Sequence, residues 1–191
     1  MNSRTKIAAF GMIALSFAFS GNVAAQAMKE KTVMVGGAAM YPSKNIVENA
    51  MNSKDHTTLV AAVKAAGLVE TLQGKGPFTV FAPTNAAFNK LPKGTVDNLL
   101  KPENKKTLQT VLTYHVVAGK WNAADIAKAI KEGKGKATLK TVSGGTLTAW
   151  MKGKKLYITD EKGSNSEVTI ADVNQSNGVI HVVNTVLLPK A

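Results

Sequence analysis

Two hydrophobic rhythms divide the chain. Up to Gly133 apolar residues mostly recur at intervals of three and four, and from Lys136 onward apolar and polar positions alternate. The first rhythm predicts helices buried on one face, the second half-buried strands. Leu59, Ala62, Val63 and Ala66 share a face and predict a helix over Thr57–Ala66. Asp55, Thr57 or Thr58 could cap its start; Gly67 suits its end, and Leu68 the hydrophobic contact that follows such a stop. Ile46 and Val47 open a weaker helical stretch up to Met51. Thr84 is placed to cap a short helix from Asn85, which Leu91-Pro92 closes. Thr95–Leu100 is another short helix. Pro102 suits the first turn of the next, whose buried face reads Leu108, Val111, Leu112 and His115. Ala123, Ile126, Ala127 and Ile130 mark a helix over Asn122–Lys131, ended by Gly133.

One apolar run in the first half breaks the helical rhythm. Phe78–Ala82 has the length of a buried strand, follows a turn at Gln73–Pro77, and is stopped by Pro83, which has no N–H for a ladder. In the second half, strands are expected over Thr138–Val142, Thr146–Met151, Lys154–Thr159, Glu167–Val173 and Val179–Leu188. Gly144-Gly145 and Lys152-Gly153 read as tight turns, and Asn177-Gly178 precedes the last strand. Helices followed by a meander predict an α+β fold, with Phe78–Ala82 joining the later sheet. There is no internal repeat and no linker, so one domain is expected.

The ends change the picture of where the protein works. Arg4 and Lys6 precede an uncharged apolar stretch, Ile7–Phe19, and Ala25-Gln26-Ala27 offers a cleavage pattern. Residues 1–27 are read as a secretory signal peptide, cut after Ala27 or after Ala25. The apolar stretch falls short of the ~20 residues of a membrane span, so no transmembrane anchor is expected after cleavage. Residues 28–44 read as a mobile N-terminal arm and 45–189 as the domain, in a mature chain of 164 residues that is secreted or periplasmic. No cysteine occurs, which excludes thiol catalysis, iron–sulfur clusters, cysteine zinc sites and disulfides.

Net charge narrows the partners. The chain carries +12, and loss of Arg4 and Lys6 leaves +10. Outside the cytoplasm such a balance favours lipid head groups, cell-wall polymers and acidic polysaccharides. The lysines are densest at Lys101, Lys105 and Lys106, then at Lys131, Lys134, Lys136 and Lys140, then at Lys152, Lys154 and Lys155. Lys131, Lys134, Lys136, Lys152, Lys154 and Lys155 form the candidate patch for an anionic ligand; the plainer alternative is that they keep the domain soluble. Aromatic residues scarcely interleave with them, which argues against nucleic acid.

Three segments carry a family resemblance. Thr79-Val-Phe-Ala-Pro-Thr-Asn-Ala-Ala-Phe88, Thr113-Tyr-His-Val-Val117 and Gly178-Val-Ile-His-Val-Val-Asn-Thr-Val-Leu-Leu-Pro189 resemble, in order, the first signature box, the central Tyr-His motif and the second signature box of the fasciclin-like domain. The resemblance spans about Asn45 to Pro189. It implies a wedge-like β-sandwich with a layer of short helices, in a secreted bacterial protein of the single-domain type. In animal and plant relatives such domains act in adhesion through integrins, collagen or polysaccharides. Integrin binding in the animal proteins is attached to an Asp-Ile pair and to the Tyr-His region, matched here by Asp172-Val173 and Tyr114-His115. Val173 departs from isoleucine, and a bacterial chain has no integrin of its own. The implied partner is therefore a cell-surface or matrix protein or an anionic polysaccharide, bound by a monomer or weak homo-oligomer.

Candidate chemistry adds little. His115, on an apolar helix face, reads as a core histidine bonded to backbone. A metal held by His115 and His181 would need a third ligand, and His56 sits far away in sequence. Ser143, Ser164, Ser166 and Ser176 lie in no nucleophile context, and Asp160-Glu161 with Glu167 reads as a solvated turn. No phosphate-binding glycine motif occurs, so no cofactor is expected. Asp172 precedes an amide-rich loop, Asn174–Asn177, suited to hydrogen-bonding a sugar or protein or only its own backbone. Trp121 could be exposed for stacking or could seal the core edge. The expected function is non-enzymatic adhesion or surface binding; the alternative is a periplasmic carrier of a small apolar ligand or lipid.

Overall fold

The computed structural model describes residues 30–190; the expected signal peptide lies outside them. In chain order come strands β1 (Val33–Val35) and β2 (Ala38–Met40), then helices α1 (Ile46–Ala50), α2 (Thr57–Ala66) and α3 (Val69–Gln73). Strand β3 (Phe78–Pro83) precedes α4 (Asn85–Phe88), α5 (Thr95–Leu99) and α6 (Lys105–Tyr114). Strand β4 (Val116–Ala118) and helix α7 (Ala123–Glu132) lead into β5 (Lys136–Lys140), β6 (Thr146–Lys152), β7 (Lys155–Thr159), β8 (Asn165–Gln175) and β9 (Gly178–Val183).

Seven strands form one sheet in the order β4-β3-β9-β8-β7-β6-β5. Next to the edge strand β4, β3 runs parallel to β9, in register from Phe78 opposite Gly178 to Pro83 opposite Val183. Both strands are buried almost throughout, and apolar apart from Thr79 and His181, because both are covered on two faces. Val80, Ala82, Ile180 and Val182 face one core, shared with α1, α2, α4, α6 and the β1–β2 hairpin. Phe81 and Val183 face the other, with Tyr114, Ile126, Leu139, Leu147, Ile158 and Leu187. The sheet curls until its edges meet: Val142 N–H donates to the Val116 carbonyl at 2.8 Å, and Val117 bridges Thr141. The second core fills this curl and α7 closes it through Ile126 and Ile130.

The α+β architecture is as expected, and Phe78–Ala82 joins the later sheet. Several expectations are corrected. Residues 33–40 are no loose arm: Val35 and Met40 are 1% exposed and belong to the helical-side core. Helix α2 takes its cap from none of its own polar residues. Its first turns are capped in trans by Asn85, whose Oδ1 accepts from Thr58 N–H at 3.0 Å and from the Thr57 hydroxyl at 3.2 Å. Its other end matches expectation: Gly67 takes φ 71°, and Leu68 N–H reaches back to Val63 at 3.0 Å. Strands β4 and helix α3 were not expected. The last strand stops at Val183, yet Val186 and Leu187 beyond it stay buried.

Asn177 shows how a turn residue locks the layers. Its Oδ1 accepts from Ile46 N–H at 3.1 Å, and its amide donates to the carbonyls of Leu72 and Gly74 at 2.8 and 3.0 Å. It thereby ties the β8–β9 turn to α1 and to the end of α3. Beside it, Gly178 lets β9 approach β3: a Cβ there would overlap the Phe78 carbonyl oxygen. Gly178→Ala should therefore destabilise by about 2–4 kcal/mol, read as a lower urea midpoint with an unchanged slope. A wild-type midpoint would show that the two strands can move apart.

Candidate functional site

Tyr114 and His115 end α6 and are both inside. The Tyr114 ring is 0% exposed. Its hydroxyl donates to the Thr146 carbonyl at 2.7 Å and accepts from Glu161 N–H at 3.0 Å. Burial pushes its phenol up to about 12. Glu161 in turn accepts from the N–H groups of Thr146 and Lys190, at 2.9 and 3.1 Å, which hold its carboxyl below the usual range. The phenol thus joins α6 to the β5–β6 turn and the β7–β8 turn. His115 is 3% exposed: Nδ1–H donates to the Val111 carbonyl at 2.8 Å, and Nε2 accepts from Leu187 N–H at 3.0 Å. Burial lowers its pKa to about 4.

The partner-contact assignment is corrected for these two residues. Neither side chain is presented to solvent, and each has its polar atoms engaged by backbone. The apolar face on α6 signals this for His115. Nothing in the rhythm signals it for Tyr114, because the curled sheet covers the opposite side of the helix.

Asp172-Val173 sits where the β8–β9 pairing slips, between Ile170 and Val173. Asp172 takes φ 57°, a left-handed value that aspartate tolerates through local hydrogen bonding. The irregularity aims its Oδ1 at the start of α7, where it accepts from Ala123 N–H at 2.7 Å. A carboxylate there satisfies an orphan donor and complements the helix dipole. Asp172 N–H donates to His181 Nδ1 at 3.4 Å, and His181 Nε2–H donates to the Trp121 carbonyl at 2.8 Å. Burial lowers the pKa of His181 as well. Val173 is 0% exposed, so a partner cannot touch it in this conformation; Asp172 is half-buried and acts as a cap. Of the expected loop, Asn174 and Gln175 complete β8 and Asn177 is the layer lock. Trp121 is half-buried and packs on the sheet-side core.

The histidines do not converge as metal ligands: both nitrogens of His115 and of His181 are taken by backbone. Among the described residues no group of three His, Asp or Glu side chains could hold a metal. A cavity of about 70 Å³ with a wholly apolar lining lies among Ile46, Val47, Leu59, Val63, Leu72 and Leu112.

The lysines do converge. Lys131 lies in the last turn of α7, Lys134 takes φ 53° in the turn after it, and Lys136 begins β5. Lys136 lies opposite Trp150 on β6, and Lys152, two residues on, lies opposite Lys155 on β7. With Lys154 in the β6–β7 turn, all six gather at one end of the sheet and all are exposed. Residues 126–159 hold eight lysines against one glutamate, a net of seven positive charges. Among the described residues the ion pairs are Lys128–Glu132 at 3.9 Å and Lys155–Glu167 at 2.8 Å, so five of the six patch lysines have no acidic partner. Like charges directly opposed on a ladder, as Lys152 and Lys155 are, cost stability.

Comparison with known proteins gives a consistent answer. The family model for the fasciclin domain matches residues 54–189. The chain is 47% identical over 160 residues to Protein sll1483 of Synechocystis sp., covering 84% of this chain and 82% of that one. It is 34% identical over 162 residues to the cell surface glycolipoprotein MPB83 of Mycobacterium bovis, covering 82% of this chain and 64% of that one. Its fold is similar to a solved FAS1 domain pair from the insect cell adhesion molecule Fasciclin I, with a TM-score of 0.69 at 17% identity. That match covers 78% of this chain and 52% of the pair, so the chain spans about half of its length.

Two outcomes follow from the buried groups. Tyr114→Phe should cost about 1–3 kcal/mol of stability by removing both hydrogen bonds of the hydroxyl, seen as a lower urea midpoint. For His115 the ordinary value is 6.5 and the folded value about 4, so between them the unfolded chain binds more protons. Stability should therefore rise with pH from about 4 to 6.5 and then level off, His115 contributing about 3 kcal/mol across that window. In His115→Gln the slope should fall by up to one proton; an unchanged slope would mean that His115 is not the titrating group.

Proposed function

The chain belongs to the fasciclin domain family, and on that premise we propose that it is an exported, non-enzymatic module that binds cell-surface or matrix ligands. One relative is named a cell surface protein and the structural relative a cell adhesion molecule. Among the described residues no helix is long and apolar enough to cross a membrane.

The observation that carries the reading is the gathering of Lys131, Lys134, Lys136, Lys152, Lys154 and Lys155 at one end of the sheet. Lys155 is paired with Glu167, which leaves Lys131, Lys134, Lys136, Lys152 and Lys154 gathered without an acidic partner among the described residues. An external anion relieves the mutual repulsion of these five, so the patch favours an anionic partner. The ligand meets the patch, while Tyr114, His115, Asp172 and Val173 hold the scaffold that presents it.

The carrier reading gains no support from the apolar cavity. At about 70 Å³ it is half the ~150 Å³ that holds one benzene molecule, far short of a lipid chain.

Retention of the protein on isolated cell-envelope or matrix material should fall when salt rises from ~0.1 M to ~1 M, as the screening length shrinks from ~10 to ~3 Å. Replacing Lys131, Lys134, Lys136, Lys152 and Lys154 together by Gln should mimic high salt. Retention indifferent to both would overturn the basic patch as the binding surface.

A further inference from the structure

The outer face of β5, β6 and β7 carries more than lysine. Strand alternation puts Leu139, Leu147, Ala149 and Ile158 inside. Outside it puts Lys136 and Thr138 on β5, Thr148, Trp150 and Lys152 on β6, and Lys155, Tyr157 and Thr159 on β7. Register lines these up in rows: Lys136, Trp150 and Tyr157 form one, and Thr138, Thr148 and Thr159 the next.

The two aromatic rings are stacked at 4.8 Å between centroids and 20° between planes. Trp150 Nε1–H donates to the Thr159 hydroxyl at 2.9 Å, and the Tyr157 hydroxyl donates to Glu167 at 3.2 Å. Both polar tips are therefore anchored, and the rings are held in place before any ligand arrives. On β5, Lys136 is the register partner of Trp150.

We propose that this face binds an acidic polysaccharide, a polymer of uronic acid lying across the strands. Its sugar rings rest on Trp150 and Tyr157, and its carboxylates meet Lys136, Lys152 and the neighbouring turn lysines. The proposal rests on the surface-binding reading above and names the ligand chemistry.

Four features fit this ligand. Aromatic faces carry negative charge density and attract the C–H edges of a pyranose ring. Thr138 and Thr148 offer hydroxyl donors and acceptors to sugar hydroxyls, beside the rings and not beneath them, while the Thr159 hydroxyl is held by Trp150 and Asn165. Strands lie about 4.8 Å apart, so the row from Lys136 to Tyr157 spans about 10 Å, suited to a short run of sugar units. The pre-anchored rings lower the ordering cost of binding. A protein partner fits less well, since the centres of protein interfaces are depleted in lysine. Nucleic acid fits less well too, since a base-stacking groove interleaves aromatic residues along its basic track, and this face carries only one aromatic pair.

The test titrates the exported chain with oligogalacturonate, with oligoglutamate of equal charge and with neutral dextran, reading Kd by calorimetry at low salt. Oligogalacturonate should bind, dextran should not, and oligoglutamate should bind more weakly. Trp150→Thr should weaken oligogalacturonate about tenfold and leave oligoglutamate unchanged; the exposed pair Lys136→Glu and Lys152→Glu should weaken both by at least that factor. If Trp150→Thr does not fold, the charge-reversed pair and the oligoglutamate comparison decide. Equal affinity for the two anions, or folded Trp150→Thr binding like wild type, overturns the proposal. If the lysine changes still abolish retention on envelope material, that result leaves the surface-binding reading standing; if they do not, that reading falls as well. Binding of a matrix protein that Trp150→Thr abolishes, without any binding of oligogalacturonate, overturns the proposal in favour of a protein ligand.

Discussion

The parallel pairing of β3 with β9 is the constraint on which the rest of the structure depends. Nearly a hundred residues separate the partners in sequence, so the pairing closes a long loop, and its entropic cost must be recovered by burial. That explains why both strands are buried without alternation, Thr79 and His181 being their polar positions, and why both faces are covered. Each face then needs its own layer. The helices and the β1–β2 hairpin cover one, and the curl of β5–β8 with α7 covers the other. The two signature boxes of the family are these two strands with the residues that follow them. Their resemblance identifies the fold because they are the element that any chain with this topology must build.

The histidines and carboxylates inside the domain serve that same pairing. His181 sits on β9 against Phe81 of β3, with ring centroids 5.6 Å apart, and links the pair to Trp121 and Asp172. The segment after β9 has no strand to hold it, and three polar groups pin it in sequence: His115 takes Leu187 N–H, Asp160 takes Leu188 N–H at 2.9 Å, and Glu161 takes Lys190 N–H. Backbone N–H groups left buried without partners would cost more than these bonds contribute. Residues that look like chemistry in the sequence are therefore spent on closing the last stretch of chain.

How much of this was legible follows from the range of each interaction. Helices α2, α6 and α7 and the strands of the meander show as local periodicity, because each buries one face against a single layer. The β1–β2 hairpin did not show, since its three-residue strands are too short for a period and gain order only by docking Val35 and Met40. Strand β4 was hidden because its two valines continue the apolar spacing of α6. Asn85 capping a helix that begins 28 residues earlier is a contact between distant segments, which no local pattern encodes. At the candidate site the clustering of lysines along the sequence was visible. Their gathering with Trp150 and Tyr157 required strand register, although the alternation of Lys136 with Thr138, and of Trp150 with Lys152, already placed them on the outer face.

Burial and charge therefore divide the molecule. Tyr114, His115, Val173 and His181 are inside, with the polar atoms of the first two and of His181 engaged by backbone and burial lowering both histidine pKa values. Its excess charge is outside, concentrated on the part of the sheet farthest from the β3–β9 pair in strand order. The separation is physically favourable: a cluster of like charges weakens whatever it sits on, and the outer strands β5–β7 can absorb that cost with short-range hairpins while the long-range pairing stays untouched. It also means that a ligand neutralising the lysines would stiffen the meander without rearranging either core. A rigid scaffold with its like charges confined to outer strands lets the surface vary while the fold beneath it stays the same.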